Sequence, residues 1–158
     1  MMSKKNRISI ITSTLNCGKA LNVTAKSISD CESCDIEWIV IDGGSNTDTI
    51  ESIKSNEKII SYWISESDEG IYHAWNKGIK KATGDWIMFL GAGDILNKDW
   101  AQYISNASLV NDIIYADLLV NESVTKNYVS KACPWNEAKI LLKKTMCLKY
   151  GKNTFTTP

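Results

Sequence analysis

Apolar residues along this chain follow two rhythms, and the switch between them marks out the elements. RISIITST (7–14) is an apolar, β-branched run of the kind a buried strand uses. In GKALNVTAKSIS, which follows, Leu21, Ala25 and Ile28 are spaced four and three apart, on one face of a helix. EWIVID (37–42) predicts a second strand ending in GGSNTD. Ile50 and Ile53 mark a short helix, and the more polar IISYWISE (59–66) predicts a third strand. From Ile71 the period changes. Ile71, Ala74, Trp75, Gly78, Ile79 and Ala82 fall at offsets 0, 3, 4, 7, 8 and 11, an amphipathic helix with Gly84 as its expected stop. Trp86–Leu90 is the fourth strand, five apolar residues in a row.

The order β-α-β-α-β-α-β implies a mainly parallel sheet with helices on both faces. Beyond it, DIIYADLLV (112–120), a turn near NES and VTKNYVS (124–130) predict a hairpin, and Glu137–Lys144 a last helix. No repeat, linker or low-complexity stretch interrupts residues 1–158, so the chain reads as one domain. The tail from about Lys149 offers only Phe155 to bury after Tyr150 and is expected to pack poorly.

Composition narrows the classes. Eighteen basic residues balance eighteen acidic ones, which argues against a nucleic-acid partner. No run approaches the roughly 18 apolar residues of a membrane helix, and MMSKKNR lacks the apolar core of a signal peptide, so the protein is expected in the cytoplasm. Five cysteines without an export signal predict free thiols. CESC at 31–34 has zinc-knuckle spacing, but no second ligand pair follows and His73 is the only histidine; a reduced pair is the better reading.

In an open α/β sheet, ligands bind outside the carboxyl ends of the strands. The first strand here ends in Thr14 and Asn16, and the second in Asp42, Gly43, Gly44 and Ser45. The third runs into Glu66 and Asp68, and the fourth delivers Asp94 after Gly91, Ala92 and Gly93, whose lack of bulk admits a ligand to the backbone. Taken singly, Asp42 and Asp94 also suit turns or caps, and Asp48 reads as a cap or its neighbour. Four acids on one edge repel unless a cation or donor-rich ligand joins them. Hard carboxylate oxygens suit Mg²⁺ or Mn²⁺, which in turn suit diphosphates. A P-loop and a dinucleotide fingerprint are both absent, so a nucleotide diphosphate fits better than NAD.

SIITSTLN (9–16), EWIVIDGGSNTDT (37–49) and YWISESDEGIYHAWNKGIKKATGDWIMFLGAGD (62–94) together resemble the family 2 glycosyltransferases, nearest to enzymes of bacterial surface-polysaccharide assembly. The resemblance covers roughly residues 7–120. It implies the GT-A fold, a Rossmann-like α/β architecture with a mostly parallel sheet plus a C-terminal hairpin and helix. It also implies inverting transfer of a sugar from a nucleotide diphosphate donor to a saccharide or lipid-linked saccharide, with Mn²⁺ or Mg²⁺, at the inner face of the plasma membrane. Carried over by position, Thr14 and Asn16 line the nucleotide pocket, with Asp42 receiving the base beside Gly43 and Gly44. Glu66, Asp68, Gly70, Asn76 and Lys77 approach the donor, and Lys77 adds charge to the diphosphate. Asp94 ends the metal-binding acidic motif.

Three departures qualify the likeness. His73 stands where relatives commonly have an acid, and Gly91 where they place the first residue of the metal motif. Residues 121–158 read as an incomplete acceptor-side region, as in a truncated chain or a domain completed by a partner. Asp117 and Glu122 are then the only nearby candidates for a catalytic base. The expectations are therefore an active transferase or, alternatively, a nucleotide-sugar-binding module without turnover.

Overall fold

In the computed structural model, residues 5–32, 34–106, 113–116, 118–122, 126–130 and 139–143 are described. The chain runs β1 (Ile8–Thr14), α1 (Gly18–Ser29), β2 (Ile36–Asp42), α2 (Thr47–Ser55), β3 (Ile60–Ser65), α3 (Ile71–Lys81) and β4 (Trp86–Phe89). Then come α4 (Lys98–Asn106), β5 (Ile113–Ala116), β6 (Leu118–Glu122), β7 (Lys126–Ser130) and β8 (Lys139–Lys143). Six strands form one sheet in the order β3-β2-β1-β4-β8-β5, and β6 and β7 form a separate pair. β3, β2, β1 and β4 are mutually parallel, whereas β8 runs antiparallel to both β4 and β5.

Alternation decides which face each strand residue serves. Ile8 and Ile10 of β1, Trp38 and Val40 of β2, and Trp86 and Met88 of β4 face one core, with Leu21, Ala25 and Ile28 of α1, Ile53 of α2, and Ala101 and Ile104 of α4. Ile11, Ile39, Ile41 and Ile87 face the other, under Ala74 and Ile79 of α3. Each buried aliphatic side chain contributes about 1.5–3 kcal/mol relative to exposure. Both faces are covered, which is why β1, β2 and β4 read as continuous apolar runs. β3 pairs only with β2, and its edge position accounts for its polar sequence.

Two glycines on this framework serve close approach. A Cβ on Gly78 would lie 2.5 Å from Ile11 Cγ2, so α3 sits flat on β1 only because position 78 is bare. Gly84 does not end α3 as expected, since Ala82 caps that helix in an extended conformation. Instead Gly84 lies where a Cβ would be 2.6 Å from Ser9 Oγ, and its N–H donates to that oxygen at 2.8 Å.

The C-terminal expectations are partly revised. Two strands are found where one was expected over 112–120: β5 joins the large sheet, and β6 pairs antiparallel with β7. Residues 139–143, expected to be helical, are strand β8. KILLK is a short apolar run whose length and pattern suit a buried strand as well as a helix, and two flanking strands to pair with settle the choice. α4 was not anticipated. The expected poorly packed tail lies outside the described residues.

Opposite the carboxyl edge, Glu37 ties three segments together. It is 6% exposed, and Oε2 accepts from Ser9 Oγ (2.5 Å) and Thr83 N–H (2.7 Å), while Oε1 accepts from Thr83 Oγ1 (2.7 Å). Burial alone would push this carboxyl up, but the bonds from Ser9 and Thr83 and the Arg7 guanidinium outweigh it and hold it below its ordinary value. A depressed folded-state value gives stability that is present above the unfolded pKa and lost as pH falls through the folded one. Glu37→Gln is therefore expected to cost about 1–3 kcal/mol at pH 7, as buried donors lose their charged acceptor. In urea titrations the gap between variant and wild type should shrink as pH is lowered below about 4.5; a constant gap down to pH 3 would contradict this role.

Candidate functional site

Register brings the expected residues to one edge. Thr14 pairs with Asp42, and Asp42 with Ser65, so β1, β2 and β3 end level. β4 stops earlier, with Phe89 opposite Ile11, leaving residues 90–94 to cross the edge as a turn.

Asp42 is fully buried and its oxygens are engaged by four donors. Oδ2 accepts from Gly44 N–H (3.2 Å), Ser45 N–H (2.8 Å) and Ser65 Oγ (2.6 Å), and Oδ1 from Ser45 Oγ (2.5 Å). A carboxylate has about four acceptor sites. As folded, Asp42 organises the glycine loop. The order continues outward, because Asn16 N–H donates to Ser45 Oγ at 2.7 Å and Asn46 N–H to Asn16 Oδ1 at 2.9 Å. Asn16 adopts a left-handed φ of 52°, which Asn tolerates better than most residues. Thr14, almost buried, contacts Cys17 Sγ through Oγ1 at 2.9 Å, and its carbonyl accepts from Gly43 N–H at 3.0 Å.

The third loop closes on the second. A Cβ on Gly43 would sit 3.6 Å from Asp68 Oδ2, and one on Gly44 (φ 86°) 3.6 Å from Ser67 N. Lys77 of α3 reaches back to bind Asp68 Oδ1 at 2.6 Å and Glu66 Oε1 at 2.7 Å. Burial alone would lower the Lys77 ammonium, yet Asp68 and Glu66 raise it; Lys77 in turn lowers Glu66. As folded, the charge of Lys77 is shared by two carboxylates. His73 accepts from Glu69 N–H through Nδ1 at 3.0 Å, and the same nitrogen lies 3.6 Å from Asp68 Oδ1. Gly70 precedes α3 with φ 105° and open space around its Cβ position, so conformation rather than crowding calls for glycine. Asn76 is half-buried on α3.

Asp94 stands apart from these contacts on the β4 turn. Its Oδ2 accepts from Gly91 N–H and its own N–H donates to Gly91 O, both at 3.0 Å. These two bonds make Asp94 the residue that closes its own turn, the cap role expected of it. Asn46 occupies the cap position of α2, and Asp48, expected as the cap or its neighbour, lies two residues on in the first turn. Of the base candidates, Asp117 lies outside the described residues, and Glu122 is on β6, opposite Lys126 in the two-stranded pair.

The family model for glycosyl transferase family 2 matches residues 9–157. The chain belongs to glycosyl transferase family 2. Among curated proteins it is 30% identical over 126 residues to a PGL/p-HBAD biosynthesis glycosyltransferase of Mycobacterium bovis, covering 73% of this chain and 48% of that protein. An uncharacterized glycosyltransferase of Mycobacterium tuberculosis is 39% identical over 94 residues, covering 59% of this chain and 36% of its own. The chain spans about half or less of the length of these relatives. Solved structures share the fold. S. aureus TarS 1-349 superposes with a TM-score of 0.63 at 13% identity, over 90% of this chain and 48% of that one. The mannosyltransferase PcManGT of Pyrobaculum calidifontis, solved with GDP-Man and Mn²⁺, gives 0.60 at 18% identity, over 68% and 34%.

On this family 2 framework, Asp94 is tested as a metal ligand by its surroundings. Among the described residues no three His, Cys, Asp or Glu side chains are grouped to hold an ion. Mg²⁺ and Mn²⁺ commonly keep waters and take one or two carboxylates together with substrate phosphates. One half-exposed carboxylate on a turn thinned by Gly91 and Gly93 fits such a shared cation, and does not fit a cage built by protein alone. Cys31 and Cys34 are both free thiols, and burial raises the Cys31 thiol, with Cys34 adding to it.

Asp42→Asn should lower folding stability by about 1–3 kcal/mol without any ligand, because an amide nitrogen would face hydroxyl and N–H donors. Urea denaturation of the ligand-free chain measures this, and an unchanged midpoint would show that the carboxylate does not organise the loop.

Proposed function

We propose that residues 1–158 form one glycosyltransferase domain that binds a nucleotide diphosphate sugar and transfers the sugar, with inversion, to a saccharide or lipid-linked saccharide of bacterial surface polysaccharide. The supporting observation is that four loops of a parallel sheet converge on one edge, where three acids are compensated internally and Asp94 is half-exposed on a glycine-rich turn. The neighbours' titles add chemistry of the right class: GDP-Man with Mn²⁺ in PcManGT, and UDP-GlcNAc in TarS, which superposes at a TM-score of 0.55.

The nucleotide would lie against the β1 and β2 loops, near Thr14, Asn16, Gly43 and Gly44, with Asp42 holding those loops in place. Glu66, Asp68, Gly70, Asn76 and Lys77 would form the wall on the sugar side. Asp94 would hold Mn²⁺ or Mg²⁺, which when bound offsets the charge growing on the departing diphosphate. An acceptor hydroxyl attacks the anomeric carbon from the face opposite the nucleotide, and a carboxylate takes its proton; Asp117 and Glu122 are the candidates in this chain. Among the described residues no helix is long and apolar enough to cross a membrane. A cytoplasmic protein meeting lipid-linked acceptors at the inner membrane face fits this reading.

A second reading is favoured by the placement of Glu122 on a sheet separate from the rim: a nucleotide-sugar-binding module without turnover. Supplying UDP- and GDP-sugars with Mn²⁺ and scoring binding, hydrolysis and transfer separately distinguishes the two.

For Asp94 the expected result is specific. Calorimetric titration of UDP or GDP with Mn²⁺ should show Asp94→Asn at least tenfold weaker than wild type, about 1.4 kcal/mol. With chelator the two should agree, and Mn²⁺ alone should bind neither. Equal losses in both conditions would indicate a damaged fold, and no loss in either would leave Asp94 a cap only.

A further inference from the structure

The turn that carries Asp94 is held from an element with no acidic residue of its own. Thr24, on the second turn of α1, is fully buried. Its Oγ1 hydroxyl donates to Asp94 O at 2.9 Å, with Gly91 O 3.3 Å away, and accepts from Gly93 N–H at 2.9 Å. One turn on, Ser27 Oγ accepts from Leu96 N–H at 3.0 Å and donates to Thr24 O at 2.8 Å. Two hydroxyls on one face of α1 thus grip the backbone on both sides of Asp94. Gly93, at φ 98°, packs a bare Cα where a Cβ would lie 3.4 Å from Ala20 Cβ of the same helix.

We propose that Thr24 is a positioning residue for the proposed cation site, fixing the Asp94 carboxylate through its backbone; this rests on the reading of Asp94 as the metal ligand. The argument is geometric. Among the described residues no group of three ligand side chains surrounds Asp94, so its aim depends on a turn that arrives already oriented. The Asp94 side chain is fixed to Gly91 N–H, and the peptide groups of Gly91, Gly93 and Asp94 are fixed to Thr24. Two glycines make the turn pliable, which is why an outside clamp is required. Val at position 24 preserves shape but leaves Gly93 N–H and Asp94 O without their partner, while Ser keeps the hydroxyl.

The test uses the full chain as wild type, Thr24→Val, Thr24→Ser and Asp94→Asn. UDP and GDP are titrated calorimetrically with Mn²⁺ and with chelator, and amide exchange is followed at Gly93. The inference expects Thr24→Val to lose at least fivefold in affinity with Mn²⁺ and to match wild type with chelator. Thr24→Ser should stay within twofold of wild type in both, and Gly93 exchange should accelerate in Thr24→Val alone of the Thr24 variants. Equal loss by Thr24→Val in both conditions would make Thr24 a purely structural residue and overturn the proposal. Full retention of Mn²⁺-dependent affinity in Thr24→Val, while Asp94→Asn loses it, would overturn it as well. If Asp94→Asn loses nothing, the metal reading fails and takes this role with it, and the Gly93 exchange rate then shows whether the clamp itself exists.

Discussion

β1 is buried on both faces and hydrogen-bonded on both sides, and the arrangement of the edge depends on that constraint. Here it pairs in parallel with both β2 and β4, and the crossover helices between these strands cover the two faces. Parallel pairing then sends every βα loop of the first half to the same side. The chain could not deliver Thr14, Asp42, Glu66 and Asp94 to a common edge from hairpins, in which successive strands end on opposite sides. Function at this edge is therefore a consequence of how the core is covered.

The acids gathered there are not equivalent. Asp42 is neutralised by backbone and serine donors, and Glu66 and Asp68 by Lys77. These bonds serve geometry: they stitch the β1, β2 and β3 loops into one surface. Like-charge repulsion, which from sequence alone called for a cation among all four, is largely resolved within the protein. Asp94, the residue proposed for the cation, belongs to a different set of contacts, on the β4 turn.

The strand and helix pattern of the first half was legible because it is dictated by burial. Ile8–Thr14, Trp86–Phe89 and the α3 periodicity could hardly serve any other arrangement, and α1 follows GKALNVTAKSIS over its whole length. Individual site roles were less legible, because a carboxylate's partners come from residues distant in sequence. Nothing near Asp42 announces Ser65, and nothing near Lys77 announces Glu66 except the loop that folds back. β8 was misjudged because KILLK carries no period long enough to tell helix from strand; its two neighbours decide. The roles of Thr24 and Ser27 do not show in the apolar spacing of Leu21, Ala25 and Ile28, whose helix face they share. A threonine and a serine three residues apart within an apolar stripe are a usable signal, since buried hydroxyls must find partners.

α1 is accordingly more than a crossover. Its first residue, Gly18, follows the Asn16 loop and packs where a Cβ would lie 2.6 Å from Asp48 O of α2. Its middle holds the β4 turn through Thr24 and Ser27. One rigid helix is thereby in contact with the loop proposed for the nucleotide and the turn proposed for the cation, which share no direct bond among those described. A diphosphate bridging the two sites must meet both at a fixed separation, and that separation is set by the helix between them. Hydroxyls suit this task better than charges, since they hold the turn's backbone without setting a further charge beside the Asp94 carboxylate.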